Sequence, residues 1–153
     1  MPSIAAHITA VPGSGIRRIH EIALTMDDVI SLAVGEPDVA VSPHIGAAAA
    51  EAWQRDATNY TANGGIAPLR RAIVQKLARD NDVHVDTEQV WVTVGATQGL
   101  HQAMAITLAP GDEVLLPDPG YTTFTMNAHM LAATPVPYPL RADAGFMPDI
   151  ADL

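Results

Sequence analysis

The 153-residue chain has 48% hydrophobic and 16% charged residues, enough apolar material for one domain with a packed core and too much for an intrinsically disordered chain. Its formal charge of −9 argues against a nucleic-acid partner, since phosphate backbones need clustered Lys and Arg. The absence of cysteine excludes disulfides and thiolate metal sites, and no stretch reaches the roughly 18 continuous apolar residues of a membrane span, so no membrane partner is expected.

No basic start followed by an apolar run reads as a secretory leader, and the cytosol is the expected location. Residues 1–15, rich in Ala, Pro, Gly and Ser, read as an arm. Residues 16–28 predict a first helix with Ile16, Ile19, Ala23 and Met26 on one face. Residues 30–34 predict a short strand, ended by Gly35-Glu36-Pro37-Asp38. Ser42-Pro43 is a helix start, with Ser as N-cap and Pro at the first helical position. That helix is expected to reach residue 56, with Ile45, Ala48, Ala49, Ala52 and Trp53 on its apolar side. Asn63-Gly64-Gly65 marks a turn, and residues 66–79 carry Leu69, Ile73 and Leu77 in helical register.

The second half predicts a strand at 90–94 and a helix at 97–108, with Leu100, Ala103, Met104 and Leu108 facing a core. Pro110-Gly111-Asp112 stops that helix. A strand at 113–116 closes on Pro117-Asp118-Pro119-Gly120, a helix spans 121–130, and a last strand spans 134–138, where Pro135 and Pro137 suggest an edge. Strand–helix–strand–helix–strand order implies an α/β fold with parallel strands and right-handed crossovers. Residues 148–153 open like a helix, with Pro and Asp in the first turn, and stop after about one turn, too short to stand alone. This end reads as a cut.

The strongest chemical feature is Val92-Thr93-Val94-Gly95-Ala96-Thr97-Gln98-Gly99-Leu100, where a strand meets a helix through small residues. N–H groups at a helix start carry the positive end of the dipole and can hold a phosphate without a cation. That suits a stretch with no Lys or Arg between Asp80 and Leu140. The competing reading is a tight turn with glycines for close packing. Gly95-x-x-x-Gly99, with Asp118 ending the next strand, also imitates a dinucleotide site but lacks the first glycine of that fingerprint. A P-loop fails because no lysine follows. Tyr121, at the carboxyl end of a strand, is placed either to stack on a flat ring or simply to pack. Gly35 and Tyr60 are open to a ligand or a turn role. The six histidines show no metal-ligand spacing, Asp80-Asn81-Asp82 reads as a solvated helix end, and Arg70-Arg71 reads as the wet face of its helix.

In combination these segments resemble the class I/II aminotransferase family. Ser31-Leu32-Ala33-Val34-Gly35-Glu36-Pro37-Asp38 is similar to its L-x-x-G-E-P-D segment, and the stretch from Tyr60-Thr61 through Gly65 to Leu69-Arg70-Arg71-Ala72-Ile73 to its Y-T-x-x-x-G-x-x-x-L-R-x-A-I pattern. Residues 92–100 resemble its phosphate turn, and Pro117-Asp118-Pro119-Gly120-Tyr121 its P-x-P-x-Y segment. The resemblance implies part of a fold-type-I large domain, with residues 1–40 as an N-terminal arm and the start of small-domain elements, and residues 41–153 as an incomplete cofactor-binding large domain. It implies pyridoxal 5'-phosphate as cofactor, an amino acid and a 2-oxo acid as substrates, and a homodimer with shared sites. Gly35 would lie against the substrate carboxylate. Gly95, Ala96 and Thr97 would hold the cofactor phosphate, Tyr121 would stack on the pyridine ring, and Tyr60 would reach the phosphate of the neighbouring subunit. The chemistry is amino-group transfer, in which the ring takes up electrons as the α-proton leaves and a lysine moves that proton.

The family's Schiff-base lysine, ring-nitrogen aspartate and carboxylate-clamping arginine all follow the matched segments, so this chain is expected to hold no catalytic residue and to be inactive alone. Lys76, the only lysine, falls where the family has no catalytic group. The resemblance also implies that residues 90–94 are separated in the sheet from 113–116 and 134–138 by strands of later sequence. An isolated chain is therefore expected to be marginally stable. Rival readings are a C–S lyase on the same scaffold, a dinucleotide-binding domain using Gly95 and Gly99, and the aminotransferase-like domain of a transcription regulator, which the acidic charge disfavours.

Overall fold

A computed structural model describes residues 3–153, which fall into two compact units. One runs from Ile16 to Thr93; the other takes the chain up to Gly15 and from Val94 to Leu153.

The first unit is built on three helices. Helix α1 spans Gly15–Ala23, stopping short of the expected residue 28. Helix α2, Pro43–Gln54, begins on Pro43 as the Ser-Pro pair requires, but the Ser42 hydroxyl makes no cap; it pairs with His44 Nδ1 at 2.8 Å. The apolar side expected of α2 is not covered, since Ile45 is 54% and Trp53 77% exposed. Helix α3, Ala67–Asn81, ends where Asp82 turns into the left-handed region and Val83 N–H donates to the Leu77 carbonyl at 3.1 Å.

Neither strand expected in this unit forms. Residues 30–34 have no ladder partner, and Ile30 and Leu32 are almost fully exposed. After a 3-10 turn at Thr87–Gln89, Val90 is extended, and residues 90–93 join no ladder. The reason is physical: alternating β-branched residues make a strand only when another strand takes up their backbone groups. Here Val92 N–H instead donates to the Gly64 carbonyl at 3.0 Å, and Trp91 lies over Gly64. Arg70, expected on a wet face, is half-buried; its Nε donates to the Val90 carbonyl at 3.0 Å and its Nη2 to the Thr87 carbonyl.

The second unit holds the α/β part. Residues 6–10, read as part of an arm, form a 3-10 helix against the later helix α5. Helix α4 spans Gly95–Thr107, strand β1 Glu113–Asp118, helix α5 Thr122–Met130 and strand β2 Thr134–Pro139. The two strands pair in parallel, Val114 opposite Pro135 and Leu116 opposite Pro137. Met104, Leu116 and Ala128 form the buried centre, ringed by Leu100, Leu108, Val114, Phe124 and Leu131. Full burial of a large apolar side chain contributes about 1.5–3 kcal/mol, which Met104 and Leu116 approach at 9% and 8% exposed. Ala103, expected to face this core, is exposed.

Prolines at 135, 137 and 139 alternate along β2, while Thr134 N–H donates to Asp112 and Leu140 N–H to Asp118. The even positions of β2 therefore point their donors at β1, and the prolines stand where donors would point away from it. Beyond β2, a 3-10 turn at Ala142–Ala144 precedes another at Ile150–Asp152, where helix-like residues close only one turn, and an Arg141–Asp152 ion pair joins the two.

Candidate functional site

The start of α4 is shaped by backbone. Gly95 has φ +75°, which an L side chain rarely adopts, and a Cβ there would meet nothing within 4 Å. The glycine thus serves the turn and not close packing. Val94 supplies no side-chain cap; its own N–H donates to Gln98 Oε1 at 2.5 Å. Ala96 and Thr97 are exposed in the first turn, where N–H groups have no carbonyl four residues back to bond. The donor set is two main-chain N–H groups and a hydroxyl at the positive end of a 13-residue helix, the chemistry an anion needs.

Tyr121 is the N-cap residue of α5 and 53% exposed. Its ring meets Phe124 edge-on, with centroids 5.8 Å apart and an interplanar angle of 89°. Both rings border a hollow of about 430 Å³ at the carboxyl end of β1, shared with Asp118, Thr122, Thr125 and Pro137. The turn into it is tight: a Cβ on Gly120 would run into the Pro117 carbonyl. The lining comes from residues 116–125 and β2, and does not include Gly95, Ala96 or Thr97.

The helices that carry those three residues and Tyr121, α4 and α5, pack on each other. Leu100 and Met104 of α4 share the core with Phe124 and Ala128 of α5. A polar tie lies between these apolar pairs: His101 Nδ1 is 2.8 Å from Asn127 Oδ1, and Asn127 Nδ2 donates to the Thr123 carbonyl at 2.9 Å. Sequence reasoning missed this pair. The only signal was that His101 borders the Leu100–Met104 stripe.

The remaining expected site residues, Gly35 and Tyr60, lie in the other unit. Tyr60 is fully exposed in the loop after α2, and Gly35 has open space where a side chain would stand. Lys76 is exposed on α3, its Nζ donating to Asn81 Oδ1 at 2.6 Å. Among the described residues no group of three or more His, Asp and Glu could hold a metal, and no helix is long and apolar enough to cross a membrane.

Known proteins resemble this chain in sequence and in fold. The chain is 38% identical over 150 residues to aspartate aminotransferase of Pyrococcus horikoshii, a match covering 98% of this chain and 38% of that protein. The solved aspartate aminotransferase of Thermus thermophilus with maleate superposes with a TM-score of 0.91 at 29% identity, covering 97% of this chain and 40% of that one. The crystal structure of the Rhizobium meliloti aspartate aminotransferase gives 0.86 at 34% identity, covering 96% and 38%. The chain thus spans about two fifths of these relatives and has the α/β fold of part of a fold-type-I aminotransferase. These matches favour that fold over a dinucleotide module using Gly95 and Gly99. The family model described as Aminotransferase class I and II matches residues 27–153, so the chain belongs to that family.

Proposed function

We propose that this chain forms the phosphate- and ring-binding side of a pyridoxal 5'-phosphate aminotransferase that moves an amino group from an amino acid to a 2-oxo acid. One observation carries the reading: a helix start with no side-chain cap, led by a left-handed glycine in a stretch without Lys or Arg, packed against the helix that Tyr121 opens.

The residues present fit the cofactor's two non-reacting parts. The N–H groups of Ala96 and Thr97, with the Thr97 hydroxyl, would hold the phosphate on the turn that Gly95 makes, a dipole contribution of about 0.3–2 kcal/mol. The Tyr121 ring would cover one face of the pyridine, adding about 0.5–1.5 kcal/mol beyond its burial. When bound, the cofactor supplies an electron sink for the carbon that loses its proton. This chain's part is to bind and orient. Gly35 leaves room for the substrate carboxylate, and Tyr60 reaches the phosphate of a neighbouring subunit in a cytoplasmic homodimer. In this reading residues 1–40 are the arm and the start of the small domain, and residues 41–153 belong to the large domain.

Pyridoxamine 5'-phosphate, which has no aldehyde to react with Lys76, is the probe. Its ³¹P resonance should shift on adding the chain, and inorganic phosphate should reverse the shift. Ala96→Pro removes one N–H at a position in the first turn where proline is tolerated. That variant and Tyr121→Leu should each weaken binding. No saturable shift with the unmodified chain, or a shift that both variants leave untouched, overturns the reading.

A further inference from the structure

The tie between α4 and α5 is a part-buried polar contact flanked by apolar pairs. Asn127 is 4% exposed and His101 half-buried, and both sit beside the Met104–Leu116–Ala128 core. Such a contact costs desolvation unless it is fully paired, so its pairing selects one helix register where an apolar seam tolerates several.

We propose that His101 and Asn127 are a positioning pair for the cofactor, fixing the helix that starts at Gly95 against the helix that starts beside Tyr121. This rests on the function proposed above. The geometry carries it. His101 lies four residues after Thr97, one turn along the same face of α4. Asn127 reaches back through Nδ2 to the Thr123 carbonyl, in the first turn of α5, two residues from Tyr121. A shift in either helix would break this chain of bonds and move the phosphate donors relative to the ring face.

The proton positions follow. Asn127 Nδ2 is committed to the Thr123 carbonyl, so Oδ1 is the atom that faces His101. An amide oxygen only accepts, and His101 Nδ1 therefore carries the hydrogen, leaving the Nε2 lone pair unprotonated in the neutral ring. Long-range ¹H–¹⁵N spectra of the chain should show Nδ1 protonated. A neutral His101 protonated at Nε2 overturns the proposal.

The binding test uses the same probe, pyridoxamine 5'-phosphate. Replacing both partners by apolar residues of similar size, His101→Leu with Asn127→Leu, removes the hydrogen bond without leaving an unpaired group and should keep the melting temperature near that of the unmodified chain. Binding should nevertheless fall about threefold to tenfold, the worth of one hydrogen bond, and the circular dichroism induced in the bound ring should weaken. His101→Asn keeps a donor at the level of Nδ1 and should restore most of both signals. If the Leu pair binds as tightly and with the same induced signal while Ala96→Pro still weakens binding, the positioning role is wrong and the proposed function stands. If the unmodified chain shows no binding, both fall.

Discussion

The Arg70 guanidinium donates from Nε to the Val90 carbonyl at 3.0 Å, across 20 residues of sequence, and its Nη2 takes the Thr87 carbonyl. An arginine that reads as a surface charge thus fastens α3 to the segment that leads into α4. Arg70→Ala should cost about 1–3 kcal/mol in urea unfolding, because two carbonyls lose a charged donor. Arg70→Lys should recover only part of that, since an ammonium lacks the planar fork that serves two acceptors. Amide exchange at Val90 and Val92 should quicken in both variants. Unchanged exchange would refute the fastening.

The turn into the Tyr121 hollow depends on Gly120, where a side chain would run into the Pro117 carbonyl. Gly120→Ala should destabilise the chain by about 1–3 kcal/mol, the usual cost of overpacking. It should also weaken pyridoxamine 5'-phosphate binding by re-aiming Tyr121. Thermal melts and the ³¹P titration check the two effects separately, and binding equal to that of the unmodified chain refutes the second.

Arg141's hydrogen bond holds the Asp152 carboxyl below its ordinary value of 3.8. A folded-state pKa below the unfolded one means that the stabilisation is fully present above the ordinary value and is lost as pH falls through the lowered one. Order in the 3-10 turn at Ile150–Asp152 should therefore be constant near neutrality and disappear only below about pH 4. Asp152→Asn should abolish this pH dependence. Chemical shifts of Ala151 and Leu153 followed from pH 7 to 2 provide the check, and a transition near pH 6 would contradict it.

Lys76 is the only lysine, and its ammonium already donates to Asn81 from an exposed face of α3. Mixing the chain with an amino acid, a 2-oxo acid and pyridoxal 5'-phosphate should give no turnover above the cofactor's own background. Lys76→Arg should leave pyridoxamine 5'-phosphate binding unchanged. Measurable turnover that Lys76→Arg removes would refute this assignment.

The helices were legible because their signals are local. Ser42-Pro43 marks the start of α2, the 3.6-residue period of Leu100, Met104 and Leu108 marks α4, and Gly111 lies just past its end. Strands were legible only where both partners are at hand. Residues 113–118 and 134–139 pair, whereas 30–34 and 90–94 carry the same alternation with nothing to pair to. Exposure of Ile45 and Trp53 was illegible for the same reason, since amphipathic spacing shows which side would be covered and not whether anything covers it. The His101–Asn127 contact joins residues 26 apart on different helices, and no local pattern announces it.

The prolines of β2 make the sheet directional. With residues 135, 137 and 139 offering no hydrogen to a newcomer, that flank cannot be zipped to another strand, and backbone recruitment is confined to the free side of β1. Association by strand pairing at this sheet, whether orderly or runaway, therefore enters along β1. The ladder to β2 uses the even positions of β1, so Glu113 and Pro117 stand on that open side, where a charge and a missing donor already narrow it.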